Sequence, residues 1–182
     1  MTTEHICFFF RKKQFQSLSN FSPHPVTIDN SRKYLTGEHA FHGEKYFLLG
    51  QNCQDSQRKN KLLSHSKKFV EPSSYDTAAK AKRAGGKSGL ALSGEELLLW
   101  DTLNEEVQRK ISKWKVEKYP EVRKDLSDTE NKILIHPAMR CSLEKLKDRK
   151  WEGRMITENG KNKVAGGNKL GKIWMDIRSS LQ

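Results

Sequence analysis

A carboxylate and an amine that stand seven residues apart, Glu38 and Lys45, are the side chains of this sequence best placed for chemistry. Seven residues make almost two turns of an α-helix, so the two side chains would lie within about 20° of the same helix face. Phe41 stands between them and would cover that face with apolar surface. If the face is buried, desolvation makes Glu38 suited to act as a general acid and Lys45 suited to act as a nucleophile.

The same pair also fits an ordinary solvated helix. Exposed acidic and basic residues at such spacings, with Glu44 beside them, usually make only weak contacts. His39 and His42 lie on the same helix, but the sequence places no third ligand near them, so we expect no metal ion. We expect no cofactor. Burial of the helix face is the property that would separate a reactive pair from a solvated one.

Two helices that carry candidate residues have clear start and stop signals. Thr36 is the expected N-cap of the first helix, which should run to about Leu49 and stop at Gly50. Ser93 and Glu96 form a capping box at the start of a second helix, whose apolar residues then recur at helical spacing until the chain reaches Pro120. These helices would place Glu38 and Lys45 on one and Trp100 on the other.

The remaining elements are shorter. Strands are predicted over residues 6–10 and 26–28, and further helices over residues 77–84, 142–147 and 170–181. The last of these helices should have one apolar face, formed by Leu170, Ile173, Trp174, Ile177 and Leu181. Polar, mobile loops are predicted over about residues 51–89 and 156–167. The pattern predicts a single α+β domain over residues 1–182 that is mostly α, with helices around a small sheet or hairpin.

A second candidate site precedes the last predicted helix. Gly166, Gly167 and Asn168 lead into that helix, whose free amide groups could bind a phosphate or position the first helix. The alternative is a glycine hinge at an ordinary helix start.

Composition and charge limit the partners. The formal net charge is +12, from 34 Lys and Arg against 22 Asp and Glu, and it attracts phosphates, nucleotides or nucleic acid. Three cysteines without a C-x-x-C spacing argue against a disulfide framework and a zinc knuckle. No apolar stretch is long enough to cross a bilayer, so we expect an intracellular protein, cytoplasmic or nuclear, that does not bind membranes.

Six sequence motifs, taken in order, resemble those of the NADAR family, also called YbiA-like. They are an aromatic strand, a Ser-Asn-Phe loop, a Glu-His-x-Phe-x-x-x-Lys helix, an Ala-Lys-Arg-x-Gly segment, a mid-chain tryptophan and a closing Gly-Asn-x-Leu-Gly. The matching residues are Phe8, Phe9, Phe10, Ser19, Asn20, Phe21, Glu38, His39, Phe41, Lys45, Ala81, Lys82, Arg83, Gly85, Trp100, Gly167, Asn168, Leu170 and Gly171.

The resemblance implies a YbiA-like fold and N-glycosidase activity. In this family the substrate is ADP-ribosylated guanine, in nucleosides, DNA or RNA, or in other members a ribosylated intermediate of riboflavin synthesis. The implied catalytic residues are Glu38, as general acid and base, and Lys45, which would form an imine with C1 of the ribose. The expected partners are thus a substrate that contains ADP-ribose and nucleic acid that carries it; the sequence does not identify a protein partner.

Other residues are expected to bind the substrate. Trp100 and Trp151 would enclose the base and exclude water. Asn20 and Asn168 would hold ribose hydroxyls. Lys82 and Arg83 would meet the diphosphate, since a planar guanidinium suits pairs of oxygen atoms.

The chain departs from the family pattern at three places. Gly86 is followed by Lys87 where the family often has arginine, and Ile135 replaces an acidic residue. The family's Trp-Gly pair with a following acid is here Trp151 and Glu152 ahead of Gly153, so Glu152 is expected to substitute for that acid.

Two functions without catalysis remain as alternatives. A basic module that binds nucleic acid would show steep salt dependence and release no product. A silent ADP-ribose reader would bind the free ligand and turn nothing over.

Overall fold

A computed structural model of the chain describes residues 4–8 and 14–181. The described residues form seven α-helices and six short strands, which confirms the predicted α+β, mostly α class. They divide into two compact units, Asn20–Lys115, and Met1–Ser19 together with Val116–Gln182. We call these the middle unit and the terminal unit. The prediction of a single domain stays a prediction.

The elements follow one another in this order: β1 His5–Cys7, a 3-10 turn Gln16–Leu18, β2 Val26–Ile28, β3 Arg32–Tyr34, α1 Gly37–Asn52, α2 Ser56–Lys67, α3 Ala78–Gly85, α4 Gly94–Lys118, α5 Pro120–Asp128, β4 Ile133–Ile135, α6 Leu143–Leu146, β5 Arg154–Glu158, β6 Lys161–Ala165 and α7 Lys169–Ser179. Phe9 and Phe10 of the predicted first strand lie outside the described residues.

The middle unit is built around α1. Strands β2 and β3 form an antiparallel hairpin whose turn residues Asp29 and Asn30 both have positive φ, as a tight hairpin turn requires. Helices α2 and α3 pack against α1. The buried core of this unit includes Tyr34, Tyr46 and Phe69.

The terminal unit pairs β1 with β4 in parallel and joins β5 to β6 in an antiparallel hairpin. Its core contains Trp174, whose indole Nε1 donates to the carbonyl of Leu18 at 2.9 Å. The apolar face predicted for the last helix is confirmed, because Leu170, Ile173, Trp174 and Ile177 are all buried.

The caps predicted from the sequence are confirmed. Thr36 Oγ1 accepts from the N–H of His39 at the start of α1. Ser93 and Glu96 form the capping box of α4, with bonds of 2.8 and 3.2 Å.

Two predicted loops contain regular structure instead. Residues 51–89 include α2, whose N-cap Asp55 accepts from the N–H of Arg58 at 2.6 Å. They also include α3, which confirms the helix predicted over residues 77–84. Residues 156–167 include most of the β5–β6 hairpin. The predicted stop of α1 at Gly50 is wrong, because the helix continues to Asn52. A Cβ at Gly50 would lie 2.7 Å from Leu63 of α2, so this glycine permits the close approach of two helices.

Candidate active site

The start of α1 is fixed by His39. Its Nε2 donates to the carbonyl of Tyr75 at 2.8 Å, so its Nδ1 is left to accept from the hydroxyl of Thr36, also at 2.8 Å. His39 is fully buried, and desolvation lowers its pKa against the opposing effect of the bond to Tyr75. A neutral histidine thus anchors the first turn of the helix, where Glu38 stands.

Glu38, His42 and Lys45 form a stripe along one face of α1, which we call the reactive face. Their exposed fractions are 7 %, 9 % and 7 %, so the face is buried, as chemistry at this pair would require. His42 Nε2 lies 3.3 Å from Glu38 Oε1. A solvated pair, the alternative drawn from the sequence, does not fit this burial.

Lys45 is held by a neutral partner. Its Nζ donates to the backbone carbonyl of Gly85, at the end of α3. Desolvation lowers the pKa of Lys45 to about 8, although the charge of Glu38 acts to raise it. At that pKa about a tenth of the amine is neutral at pH 7, roughly 300-fold more than for a lysine with an ordinary pKa. Burial therefore supplies a nucleophilic amine near neutral pH.

Gly85 has to be a glycine for this arrangement to exist. A Cβ at Gly85 would lie 2.1 Å from Cγ and 2.2 Å from Nδ1 of His42. The bare Cα lets the imidazole of His42 pack against the end of α3 while the carbonyl of the same residue accepts from Lys45. The last residue of the Ala-Lys-Arg-x-Gly segment thus contacts both basic side chains of the reactive face.

An aromatic group adjoins the reactive face. Phe41 makes edge contacts with Trp100 at 5.1 Å and with His42 at 5.6 Å between ring centroids. Trp100 is partly buried in the middle-unit cluster. These contacts place Trp100 beside α1, where its expected stacking on a base stays a prediction.

The other predicted residues of the middle unit have different surroundings. Lys82 and Arg83 are exposed on α3, three and two residues before Gly85. Lys82 Nζ lies 5.4 Å above the ring of Phe21. The side-chain amide of Asn20 is buried and exchanges hydrogen bonds with Gln108 at 2.8 and 3.0 Å.

Trp151, Glu152 and Asn168 belong to the terminal unit. Asn168 is the residue before α7 and has φ 48°; its amide donates to the carbonyl of Leu134 at 2.9 Å and accepts from the N–H of His136 at 3.0 Å. These bonds tie the start of α7 to the end of β4.

Trp151 and Glu152, the two residues before Gly153, have partners within the terminal unit. Trp151 is partly buried, with Lys169 Nζ 5.9 Å from its ring, and Glu152 forms an ion pair with Arg149 at 3.5 Å. Substrate contacts for Trp151, Glu152 and Asn168 stay predictions.

Three residues of the site, His42, Gly85 and Gln108, have no catalytic or positioning role predicted from the sequence. His42 was weighed only as a metal ligand, although its place four residues after Glu38 and three before Lys45 is a signal for a shared helix face. The bond from Lys45 to Gly85 and the bonds between Asn20 and Gln108 join residues 40 and 88 positions apart. No local sequence pattern predicts contacts between residues at that separation.

Neither a metal centre nor a spanning helix is found among the described residues. No group of three or more His, Cys, Asp and Glu side chains within 4–8 and 14–181 is arranged to hold a metal ion. In the same part of the chain, none of the helices combines the length and the apolar character needed to cross a membrane.

Comparisons with known proteins agree with the motif order. The model of the NADAR domain family matches residues 8–182 of the chain. The NMR structure of the E. coli protein YbiA is similar with a TM-score of 0.61 and 23 % identity, over 100 % of this chain and 86 % of that one, which shows a common fold. Curated proteins give no significant match. Because the family model covers nearly the whole chain, the chain belongs to the NADAR family, which is associated with the hydrolysis of N-glycosidic bonds.

Proposed function

We propose that this protein removes ADP-ribose from ADP-ribosylated guanine by hydrolysis of the bond between ribose C1 and the guanine nitrogen. The observation that carries the proposal is the reactive face of α1, where a buried lysine of lowered pKa, Lys45, lies within the electrostatic influence of a buried carboxyl group, Glu38. A nucleophile and a proton donor on one rigid helix are the groups that this reaction needs.

Glu38 starts the reaction by giving a proton to the ribose ring oxygen. The bond from C1 to that oxygen breaks, and the lone pair of the guanine nitrogen forms a double bond to C1. The neutral amine of Lys45 then adds to C1, and one Nζ proton is transferred through Glu38 to the guanine nitrogen. Guanine leaves as an amine, and Lys45 remains joined to C1 as an imine.

Water completes the cycle. It adds to C1 of the imine, the bond from C1 to Nζ breaks, and ADP-ribose is released as an aldehyde that closes to its ring form. One water molecule is consumed for each bond cleaved, and Glu38 and Lys45 return to their starting protonation states. The bond from Lys45 Nζ to the carbonyl of Gly85 leaves the nitrogen lone pair available for attack.

Recognition of the base and of the diphosphate is assigned to three of the residues expected from the sequence. Trp100, beside Phe41, is suited to stack on the base, and the exposed Lys82 and Arg83 next to Gly85 are suited to meet the diphosphate. A net charge of +12 favours polyanionic substrates, so modified nucleic acid is proposed together with the nucleoside.

The test is release of ADP-ribose from ADP-ribosylated guanosine and from a modified oligonucleotide, followed by mass spectrometry. We expect release by the native chain and loss of at least about 10³-fold in Lys45→Ala, and of about 10²-fold or more in Glu38→Gln. Borohydride added during turnover should reduce the imine and leave a stable adduct on the peptide that contains Lys45.

The matched control is Lys113→Ala, which removes the same charge from an exposed position of α4. It should keep both release and adduct. An adduct that persists in Lys45→Ala would contradict the imine step. No release from either substrate would reject ADP-ribosylated guanine, and ribosylated riboflavin-pathway intermediates would then be assayed in the same way.

A further inference from the structure

Helix α4 carries polar side chains on its buried face. Gln108, Ser112 and Lys115 follow one another at intervals of four and three residues, and their exposed fractions are 1 %, 0 % and 0 %. Buried polar groups are costly unless they are hydrogen-bonded, so a stripe of this kind has to be explained by its partners.

The partners of this stripe lie in the segment of residues 20–22. The amides of Gln108 and Asn20 bond to each other in both directions, at 2.8 and 3.0 Å, and Gln108 Nε2 also donates to Ser112 Oγ at 3.2 Å. Lys115 Nζ donates to Ser22 Oγ at 2.8 Å. Helix α4 therefore holds the segment at two points, one on each side of Phe21.

The same segment contacts the start of α1. The carbonyl of Asn20 accepts from the backbone N–H of Glu38 at 3.0 Å. The side chain of Asn20 also covers Gly37, where a Cβ would lie 2.9 Å from Asn20 Oδ1. The position of Asn20 thus determines the position of the first turn of α1, which carries Glu38.

We propose that Gln108 is a positioning residue which, through the side chain and backbone of Asn20, sets the carboxyl group of Glu38 for proton transfer. This inference rests on the proposed function of Glu38. In this inference the side-chain amide of Asn20 hydrogen-bonds to Gln108 and does not bind a ribose hydroxyl. Proton transfer requires the carboxyl group within hydrogen-bond reach of the reacting atoms, and a displacement of about 1 Å can cost up to about 10²-fold in rate.

The experiment replaces both members of the amide pair, singly and together. Gln108→Leu keeps the volume of the side chain and removes its bonds. We expect kcat to fall about tenfold or more with KM within about twofold, because ground-state binding is left intact. Asn20→Ala should give the same kcat loss, and the double variant should be no worse than the more affected single variant, since both act through one contact.

A second measurement probes the backbone hydrogen bond of Glu38 in the absence of substrate. Exchange of its backbone amide hydrogen, read by NMR, should become about tenfold faster or more in Gln108→Leu, because the bond to the carbonyl of Asn20 loosens. The control Ile111→Val removes a methylene from a buried position of the same helix and lowers stability without touching Asn20. It should change neither kcat nor this exchange rate.

Each outcome decides the inference. Unchanged kcat in Gln108→Leu would overturn it, as would an equal kcat loss in Ile111→Val, which would point to general destabilisation. A raised KM confined to Asn20→Ala would restore the ribose-binding assignment. A native chain without activity, combined with faster exchange at Glu38 in Gln108→Leu, would reject the proposed function and keep the positioning of Glu38. If Gln108→Leu does not fold, Gln108→Met takes its place in the same series.

Discussion

Helix α1 buries charged side chains on two faces, and the side chains on the two faces have different kinds of partner. On one, which we call the clamp face, Glu44 accepts from Arg32 Nε and from the hydroxyl of Tyr34, both at 2.6 Å. On the reactive face, Lys45 donates to a neutral carbonyl, and within residues 4–8 and 14–181 no carboxylate forms an ion pair with it. Glu44 and Lys45 are adjacent in the sequence and similarly buried. The partners of each side chain therefore decide whether its charge is compensated.

The pKa values follow from these partners. Burial acts to lower the pKa of Arg32, but its bonds to Glu44 and Asp29 outweigh that effect and the pKa is raised. Burial and the charge of Glu44 raise the pKa of Tyr34, which stays a neutral donor. Lys45 has no comparable compensation and its pKa is lowered. Full pairing produces a fixed structural contact, whereas incomplete pairing leaves a reactive amine.

Removing the centre of the clamp face should have the largest effect on stability. Glu44→Ala leaves the largely buried guanidinium of Arg32 and the hydroxyl of Tyr34 without their acceptor. We expect a loss of about 3 kcal/mol in the free energy of unfolding, measured by urea denaturation, because a broken buried pair leaves an uncompensated charge. The folded fraction should keep kcat within about twofold.

The matched control removes the other carboxylate that binds Arg32. Asp29 is exposed, with 61 % of its side chain accessible, so Asp29→Asn, which removes the charge and still tolerates the positive φ of this turn position, should cost less than about 1 kcal/mol. If both variants lose the same free energy of unfolding, burial of Glu44 does not determine how much its contacts with Arg32 and Tyr34 stabilise the protein.

Local patterns predicted the helices in which a cap or an apolar repeat at helical spacing can be recognised together with a buried face. The N-caps Thr36 and Ser93 and the apolar face of α7 could be identified because these signals lie within a few residues of one another. Helix α2 was predicted as a loop because only Leu62 and Ser66 of its twelve residues are buried, so its pattern is almost wholly polar. Its helical structure depends on packing against α1, which local propensity does not report.

Strand β2 was predicted from the sequence, but its partner β3 and the β5–β6 hairpin were not, for another reason. Asp29 with Asn30, and Asn159 with Gly160, are turn residues with positive φ between strands of three and five residues. The turn signals were present in the sequence, but such short strands give too few positions for an alternating pattern to be recognised.

In the candidate site, too, local features could be predicted and long-range contacts could not. The spacing of Glu38 and Lys45 on one helix could be predicted, because it depends only on the geometry of α1. The contributions of Gly85 and Gln108 could not, because the bonds from Lys45 to Gly85 and from Gln108 to Asn20 depend on how distant segments of the middle unit meet.

The second prediction concerns the pH dependence of the reactive face. In the proposed mechanism only the neutral amine of Lys45 attacks C1, and burial lowers the pKa of this amine to about 8. The same amine condenses with a small free aldehyde without a proton from Glu38. The rate at which glycolaldehyde and cyanoborohydride alkylate Lys45 should therefore rise about tenfold per pH unit below 8 and level off above it, measured between pH 5.5 and 9.5. Asp29→Asn should give the same profile. A rate that is flat or falls over this range would exclude the neutral lysine as nucleophile.

The smallest expected effect is a gain in stability when the reactive amine is removed. Lys45→Met replaces a poorly compensated buried cation with an apolar side chain of similar length, so we expect the free energy of unfolding to rise by about 1 kcal/mol at pH 7 while activity is lost.

The pH dependence of this gain identifies its cause. The folded-state pKa of Lys45, about 8, lies below its ordinary value of 10.5, so between these values the unfolded chain binds more protons and the native protein gains stability as pH rises. Methionine does not titrate; hence the advantage of Lys45→Met should be greatest below pH 8 and shrink steadily toward pH 10.5. Urea denaturation of both proteins at pH 7, 9 and 10 measures the difference. A difference that is constant across these pH values would assign the gain to packing, and a less stable variant at pH 7 would mean that the bond to Gly85 outweighs the desolvation of the amine.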